Sequence, residues 1–139
     1  MDPNWKTKNV MHEGYPLFLR YPAKLDYTSK CTTFPQLAVV THHFSKVTGN
    51  GLPDADYNDA LFAFDTDLRD AFENTGAGHT VLVESFAGKR NYYIYVSPDV
   101  AMTGILSGIA TRYPEHKITW LVRSDPTWGF IQEYAKEYL

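Results

Sequence analysis

The sequence is poor in the features that define specialised classes of protein. Its 139 residues include one cysteine, Cys31, so no disulfide can form within the chain. No apolar run approaches the length of a membrane helix, and the first residues lack the apolar core of a signal peptide. We therefore expect a soluble cytoplasmic protein that depends on a packed core for its stability.

Charge of one sign is equally scarce, because 13 basic and 16 acidic residues leave a net charge of −3. A chain with this balance produces no strong positive field around it, so nucleic acid is a disfavoured partner. What the sequence has in quantity is apolar surface, with 44% hydrophobic and 15% aromatic residues. At this length, that composition predicts one globular domain over residues 1–139.

Alternating apolar and β-branched residues predict six strands. Gly14 and Gly88 each lie between two of them and indicate two β-hairpins. Pro16 lacks a backbone donor, so its strand should begin there or lie at a sheet edge. Both faces of the strand over 37–44 are expected to be partly covered, as in an interior strand. The predicted strands cover residues 5–11, 15–21, 37–44, 80–86, 91–96 and 116–123.

The first predicted helix has apolar residues at spacings of three and four over residues 57–72. Asp54 or Asp56 is expected to cap its start, and Gly76 and Gly78 are expected to end it. Apolar positions of the helices and strands together define the predicted core. It includes Leu61, Phe64, Leu68, Val83, Ile105 and Ile109.

Two further helices are predicted from an N-cap residue followed by proline. Ser97-Pro98-Asp99 should start a helix that runs to about Tyr113, and Asp125-Pro126 should start one that ends at the C-terminus. From residue 37 the order is strand, helix, strand, strand, helix, strand. We predict an α+β fold with a ferredoxin-like split βαβ sheet, mainly antiparallel, an N-terminal hairpin and an extra C-terminal helix.

Five local patterns follow one another along nearly the whole chain. They are the early Trp5 strand with Gly14-Tyr15-Pro16, Gly51-Leu52-Pro53, residues 88–95, Arg112-Tyr113-Pro114-Glu115 and Asp125-Pro126-Thr127-Trp128. In this order and spacing they resemble the bacterial family called domain of unknown function 695. The family is distantly similar to the regulator B modules of ribonuclease E, so the resemblance implies a ferredoxin-like build, and it implies no catalytic residues. One departure is the last helix, which in the family usually closes with an aromatic residue and a proline.

Histidines are the main candidates for catalysis or metal binding. His42 and His43 are adjacent in a strand, so they point to opposite faces and cannot share one metal ion without distortion. His79, His116 and Cys31 could supply further ligands, but their spacings match no metal or nucleophile motif. We predict no catalytic residues, no metal and no cofactor. The enzyme alternative requires His42 or His43, His79 and an acid to meet in one cleft.

An RNA-associated regulator is the other alternative. Tyr92, Tyr93 and Tyr95 lie in one strand, and RNA-binding sheets stack bases on aromatic side chains. Lys89 and Arg90 add local positive charge. The acidic balance of the chain and the missing glycine and aromatic positions of the RNP1 signature count against this alternative. The interpretation we favour is that Tyr93 and Tyr95 pack in the core.

Three residues indicate protein contacts instead. Phe62 falls on the polar side of the first helix, which would leave a large aromatic side chain in water. Gly104 and Gly108 are one turn apart in the second helix, where each costs about 1 kcal/mol relative to alanine. Either another chain covers these residues, or the loop before the first helix covers Phe62 and the neighbouring helix covers the glycines. We predict a non-catalytic binding or regulatory module that contacts an unknown protein partner or forms a homodimer, away from membranes.

Overall fold

The computed structural model describes residues 5–24, 30–44, 56 and 61–139. Within them the chain forms a sheet of six strands and three helices. In chain order the elements are β1 (Trp5–His12), β2 (Tyr15–Pro22), β3 (Gln36–His43), α1 (Phe62–Glu73), β4 (Gly78–Phe86), β5 (Lys89–Val96), α2 (Met102–Arg112), β6 (Lys117–Ser124) and α3 (Gly129–Tyr138).

The sheet has the strand order β1-β2-β4-β5-β3-β6, and every neighbouring pair is antiparallel. The α+β class and the antiparallel sheet are therefore confirmed. Helix α1 joins β3 to β4 with β5 between those strands, and α2 joins β5 to β6 with β3 between them. Among the helices described, none is both long and apolar enough to cross a membrane.

The helices cover the two faces of the sheet unequally. Helices α1 and α2 bury Phe64, Leu68 and Leu106 against one face, together with side chains of the central strands. Helix α3 buries Ile131 against the other face, next to Trp128. The interior position predicted for β3 is confirmed, because this strand pairs with β5 on one side and β6 on the other.

Two-residue turns close both hairpins. Glu13 and Gly14 have φ values of 52° and 83°, and Ala87 and Gly88 have φ values of 54° and 84°. Two successive positive φ values define the type I′ turn, whose twist matches that of paired strands. Both predicted hairpins are thus confirmed. Pro16 is the second residue of β2, outside the Phe18–Arg20 segment that pairs with β4.

The predicted start of the second helix is wrong. Residues Ser97 to Val100 form a turn in which the Val100 N–H donates to the Ser97 carbonyl, and α2 begins at Met102. Proline is compatible with such a turn as well as with a first helical turn, so the cap pattern alone does not fix the helix start.

The third helix also begins later than predicted, at Gly129. Trp128 precedes it with a positive φ of 57° and a fully buried side chain. Asp125 still caps the helix, because its carboxylate accepts the N–H groups of Gly129 and Phe130 at 2.9 and 3.1 Å. The capping role of Asp125 was predicted correctly, but it acts across a turn of intervening residues.

The first helix ends at Glu73, and the two glycines after it have different roles. Gly76 has a φ of 71° and follows the helix in the left-handed region that favours glycine. Gly78, which was also expected to stop the helix, is instead the first residue of β4. A Cβ atom there would lie 2.9 Å from the Tyr95 carbonyl oxygen, so the close approach of β5 requires glycine.

Most of the predicted core is buried, including Leu61, Leu68 and Val83. Ile105 was expected to be buried but is only half-buried, packed at the border of the α1 and α2 core. Of the residues expected to cap the first helix, Asp54 lies outside the described residues and Asp56 is exposed. The described part of α1 has no side-chain cap at its start.

Candidate protein-contact surface

Strand β6 forms one edge of the sheet. In the part of the chain that the structure describes, its one strand neighbour is β3. The two strands pair without interruption from Gln36 opposite Ser124 to His43 opposite Lys117. Neither proline nor a bulge interrupts the eight residues of β6. This edge therefore has the straight, regular form that can pair with a further strand.

The backbone hydrogen bonds show which groups of β6 face outward. The N–H of Asp125 donates to the Pro35 carbonyl at 2.9 Å, which continues the β3–β6 ladder by one pair. Hydrogen-bonded pairs alternate along an antiparallel ladder, so odd-numbered residues of β6 bond to β3. The N–H of Phe44 donates to Gly88 of the β5 hairpin and gives the same alternation for β3. The outward-facing backbone groups belong to Ile118, Trp120, Val122 and Ser124.

Apolar side chains lie at the centre of this edge. Trp120 is 43% exposed and Leu121 is 54% exposed, although both are large and hydrophobic. As neighbours in a strand they point to opposite faces, Trp120 toward the α2 side and Leu121 toward the α3 side. The charged residues of the strand, Lys117 and Arg123, lie near its two ends. We call the edge of β6 together with the adjoining outer side of α2 the β6–α2 surface.

A shallow groove runs between α2 and β6. One part has a volume of about 420 Å³ and is lined by Gly104, Trp120 and Val122, among others. A second part of about 200 Å³ is lined by Ser107 and again by Trp120. The small side chains of α2 thus leave the Trp120 ring accessible from the helix side.

The buried histidine pair forms a second cluster, beneath the start of β6. His42 is fully buried, and among the described residues neither of its ring nitrogens has a hydrogen-bond partner, nor does Nδ1 of His116. The two rings meet edge to face at 4.8 Å between centroids, and Phe64 packs against both. Burial, followed by the nearby positive charge of His116 and Arg90, lowers the pKa of His42 to about 3. His42 is therefore neutral at physiological pH.

A third cluster surrounds the buried carboxylate of Asp65 in α1. Arg20 donates to it at 3.1 Å, Arg69 at 3.2 Å and the Tyr92 hydroxyl at 2.8 Å. Burial alone would raise the pKa of Asp65, but the hydrogen bonds and charge of Arg20, with the charge of Arg69, outweigh it and hold the pKa below its usual range. This network ties α1 to β2 and β5 and accounts for the buried charges structurally.

Comparison with known proteins places the chain in a family. A model of the family of unknown function DUF695 matches residues 3–134. The chain belongs to DUF695. No curated protein and no solved structure matches it. The family resemblance in the sequence is thus confirmed, and the distant likeness to regulator B modules of ribonuclease E stays a prediction.

The structure places the three predicted contact residues of this DUF695 chain apart. Gly104 lines the groove beside Trp120, whereas Gly108, one turn further along α2, is exposed, and a Cβ atom there would meet no described residue within 4 Å. No described residue of α1 lies within 4 Å of a Cβ atom placed at either glycine, and helix packing at these glycines stays a prediction. Phe62 is the first residue of α1 and is 61% exposed. The loop that could cover it lies outside the described residues.

The histidines proposed for an enzyme do not meet in one cleft. His43 bonds to the Thr119 hydroxyl at 3.1 Å, and His79 lies 3.4 Å from the Glu73 carboxylate. His42 instead packs among aromatic rings. No cluster of three or more potential metal ligands is present within the described residues.

The tyrosines of β5 are covered by helices. Tyr95 is fully buried and its ring stacks on Trp128 at 4.2 Å between centroids, while Tyr93 stacks on Phe130 at 4.8 Å. Tyr92 points to the opposite face and is also fully buried. These side chains do not form the open platform on which RNA bases stack.

The sequence interpretation named Gly104 as a contact candidate but did not name Trp120 or Leu121. Both were assigned to the last strand, without any prediction of exposure. The available signal was the run Trp120-Leu121-Val122, which places apolar side chains on both faces of one strand.

Proposed function

We propose that this protein is a non-catalytic binding module that acts through protein contacts, and that its contact surface is the β6–α2 surface. The observation that carries the proposal is the combination, on one edge strand, of outward-facing backbone groups with exposed Trp120 and Leu121. An unpaired strand edge is a template for a strand of another chain.

The chemistry of the surface supports strand addition. Backbone N–H and C=O groups of Trp120 and Val122 provide main-chain hydrogen bonds, which give affinity irrespective of sequence. The groove beside Trp120 can accept an apolar side chain of the incoming strand, which gives specificity. Large aromatic side chains at the centre of a surface are frequent anchors of protein interfaces.

We also infer that β3 to β6, with α1 and α2, form the predicted ferredoxin-like split βαβ unit. The support is the order β4-β5-β3-β6 within the sheet and the two helices on one face. In this arrangement the hairpin of β1 and β2 extends the unit at the β4 side. The opposite side, at β6, is left for a partner.

A peptide with the sequence of residues 116–125 provides a direct test of strand addition. We expect it to shift the backbone amide resonances of Ile118, Trp120 and Val122 and to leave those of β1 unchanged. The control is the same peptide with proline in place of the valine, because proline cannot donate at an outward-facing position. Equal shifts with both peptides, or no shifts in β6, would remove the support for this function.

A further inference from the structure

We propose that the occupant of the β6 edge is a second copy of this chain, which pairs antiparallel through its own β6 about a two-fold axis between the two Leu121 residues. This inference rests on the proposed function, since it names the partner for the same surface. The argument has three steps: the face on which each side chain lies, the hydrogen bonds available, and the charges brought together.

The first step concerns the faces of the sheet. A continuous sheet formed by two copies requires residues that lie opposite each other to point to the same face. In β6 the even-numbered residues point toward α2, since Ile118 and Val122 pack against the α1 and α2 core. Even-numbered residues must therefore pair with even, and odd with odd. Under two-fold symmetry, this condition means that one residue at the axis lies opposite the same residue of the other copy.

The second step is the number of hydrogen-bonded pairs. The outward-facing groups run from Ile118 to Ser124, and the midpoint of that segment is Leu121. An axis at Leu121 pairs Ile118 with Ser124 and Trp120 with Val122, each twice, which makes four hydrogen-bonded pairs. An axis at Trp120 makes three such pairs and an axis at Thr119 makes two within the strand. The Leu121 axis uses the outward-facing groups fully.

The third step is charge. An axis at Trp120 would place Lys117 opposite Arg123 of the other copy, twice, and like charges directly opposite each other are destabilising. An axis at Leu121 places Lys117 opposite Asp125 and Arg123 opposite Thr119. Unlike charges then face each other at both ends of the paired segment. The charge pattern and the hydrogen-bond pattern favour the same register.

This register also covers the apolar side chains that the single chain leaves exposed. The two Leu121 side chains lie against each other on the α3 face, and each Trp120 lies beside Val122 of the other copy on the α2 face. Gly104 lines the groove next to Trp120, so the small side chains of α2 leave room there for the partner's strand. The exposure of Leu121, at 54%, thus has a specific explanation.

A cysteine at the axis tests the register. Residues at a non-hydrogen-bonded antiparallel pair have Cα atoms about 4.5 Å apart, within the range of a disulfide. In a chain with Cys31→Ser, which removes the native thiol, Leu121→Cys should form an intermolecular disulfide under mild oxidation. We expect more than about half of the chain to run as a covalent dimer without reducing agent, and none with it.

Two matched arms identify other registers. Thr119→Cys in the same Cys31→Ser chain would form an intermolecular disulfide only if the two-fold axis lay at Thr119. We therefore expect this variant to remain monomeric under denaturing conditions. A mixture of the Thr119→Cys and Leu121→Cys chains reports the axis at Trp120. Preferential disulfides in either arm would overturn the proposed register.

Sedimentation of the unsubstituted chain tests the dimer without any substitution. We expect the apparent mass to rise from that of the 15.9 kDa chain toward twice that value as concentration increases. A single chain mass at all concentrations, together with absence of the Leu121→Cys disulfide, would overturn this inference. If the 116–125 peptide still bound β6 in that case, the proposed function would stand and the partner would be a different protein. If the peptide also failed, both would fall.

Discussion

The two edge strands of the sheet, β1 and β6, differ in how well their central residues would accommodate a further strand. At the β1 edge the central residues are Lys6, Thr7, Lys8 and Asn9, all polar and exposed. At the β6 edge the central residues are apolar, and the charged residues lie toward the ends. Lysine in the middle of an edge strand discourages pairing because its charge must keep contact with water. The β1 edge has this protection and the β6 edge does not.

The two edge strands therefore differ in the side chains at their centres, which are polar in β1 and apolar in β6. Within the described residues each edge strand has one strand neighbour, but only β6 combines its outward-facing backbone groups with exposed aromatic and aliphatic side chains at its centre. Met11 is exposed in β1 too, at 68%, but it lies beside the hairpin turn rather than at the middle of the strand. We therefore propose a contact function for β6 and not for β1.

The largest expected effect on stability is that of a substitution in the core, compared with the same substitution at the β6 edge. Leu68 is fully buried in α1, so Leu68→Ala should lower the free energy of unfolding by roughly 2 to 5 kcal/mol. The matched substitution at the edge, Leu121→Ala, should change the stability of the dilute, monomeric chain by less than about 0.5 kcal/mol. Denaturant titration measures both. A loss below half a kcal/mol for Leu68→Ala would remove this residue from the core.

A charge placed at the centre of the β6 edge should weaken self-association, whereas a change of charge at the β1 edge should not. Trp120→Lys gives the centre of β6 the character of β1, and we expect it to weaken self-association by about 10-fold or more, or about 1.4 kcal/mol. Lys8→Glu changes the charge at the β1 edge and should leave association unchanged. Sedimentation equilibrium compares the two variants. Equal effects would mean that the edges do not differ in function.

As the pH falls, the contribution of His42 to stability, next to β6, should be lost before that of Asp65, which bonds to Arg20 of β2. His42 lies opposite Ile118 of β6, and its pKa is about 3 in the folded chain against about 6.5 when unfolded. Its stabilising contribution is therefore complete above pH 6.5 and is lost as the pH falls. The groups facing it are His116, His43 and Arg90, which oppose protonation, and Asp65, which favours it. We expect a loss of roughly 1 to 2 kcal/mol between pH 7 and pH 5.

The β2 side should resist acid further, because the Asp65 pKa is lowered in the folded chain. The stabilising contribution of the Arg20–Asp65 pair is present above the unfolded pKa of about 3.9 and is lost only at lower pH. Urea titrations at several pH values test this order. His42→Phe should reduce the loss between pH 7 and pH 5. An unchanged slope in His42→Phe would contradict the assignment.

The smallest expected effect concerns Phe62, the exposed aromatic residue at the start of α1. Phe62→Ser should change the melting temperature little, because the side chain is 61% exposed. If Phe62 forms a separate contact, the substitution weakens association without a loss of stability. If association is carried by β6 alone, it changes neither. Loss of stability with unaltered association would defeat an interface at this helix.

The sequence predicted the elements of this fold better than the surface that we propose to be functional. The hairpins followed from local signals, since Gly14 and Gly88 supply the positive φ values that type I′ turns need. The starts of α2 and α3 were displaced because proline fits several kinds of turn. Helix starts also depend on tertiary contacts, such as the burial of Trp128.

Strand order explains why the contact surface was missed. Pairing between strands distant in sequence, as between β3 and β6, is not encoded in local periodicity. Without that order, Trp120 and Leu121 looked like ordinary strand residues with one face buried. Phe62 could be predicted to be exposed because helical periodicity alone separates the two sides of α1. An edge strand can be recognised as an edge only after the sheet is assembled.

Amide hydrogen exchange at the two edges tests the central claim most directly, namely that β6 pairs with another copy and β1 does not. The outward-facing N–H groups of Trp120 and Val122 should exchange slowly at high protein concentration and quickly at low concentration. The outward-facing amides of β1 should exchange quickly at both. Fast, concentration-independent exchange at Trp120 and Val122, equal to that of β1, would contradict the account.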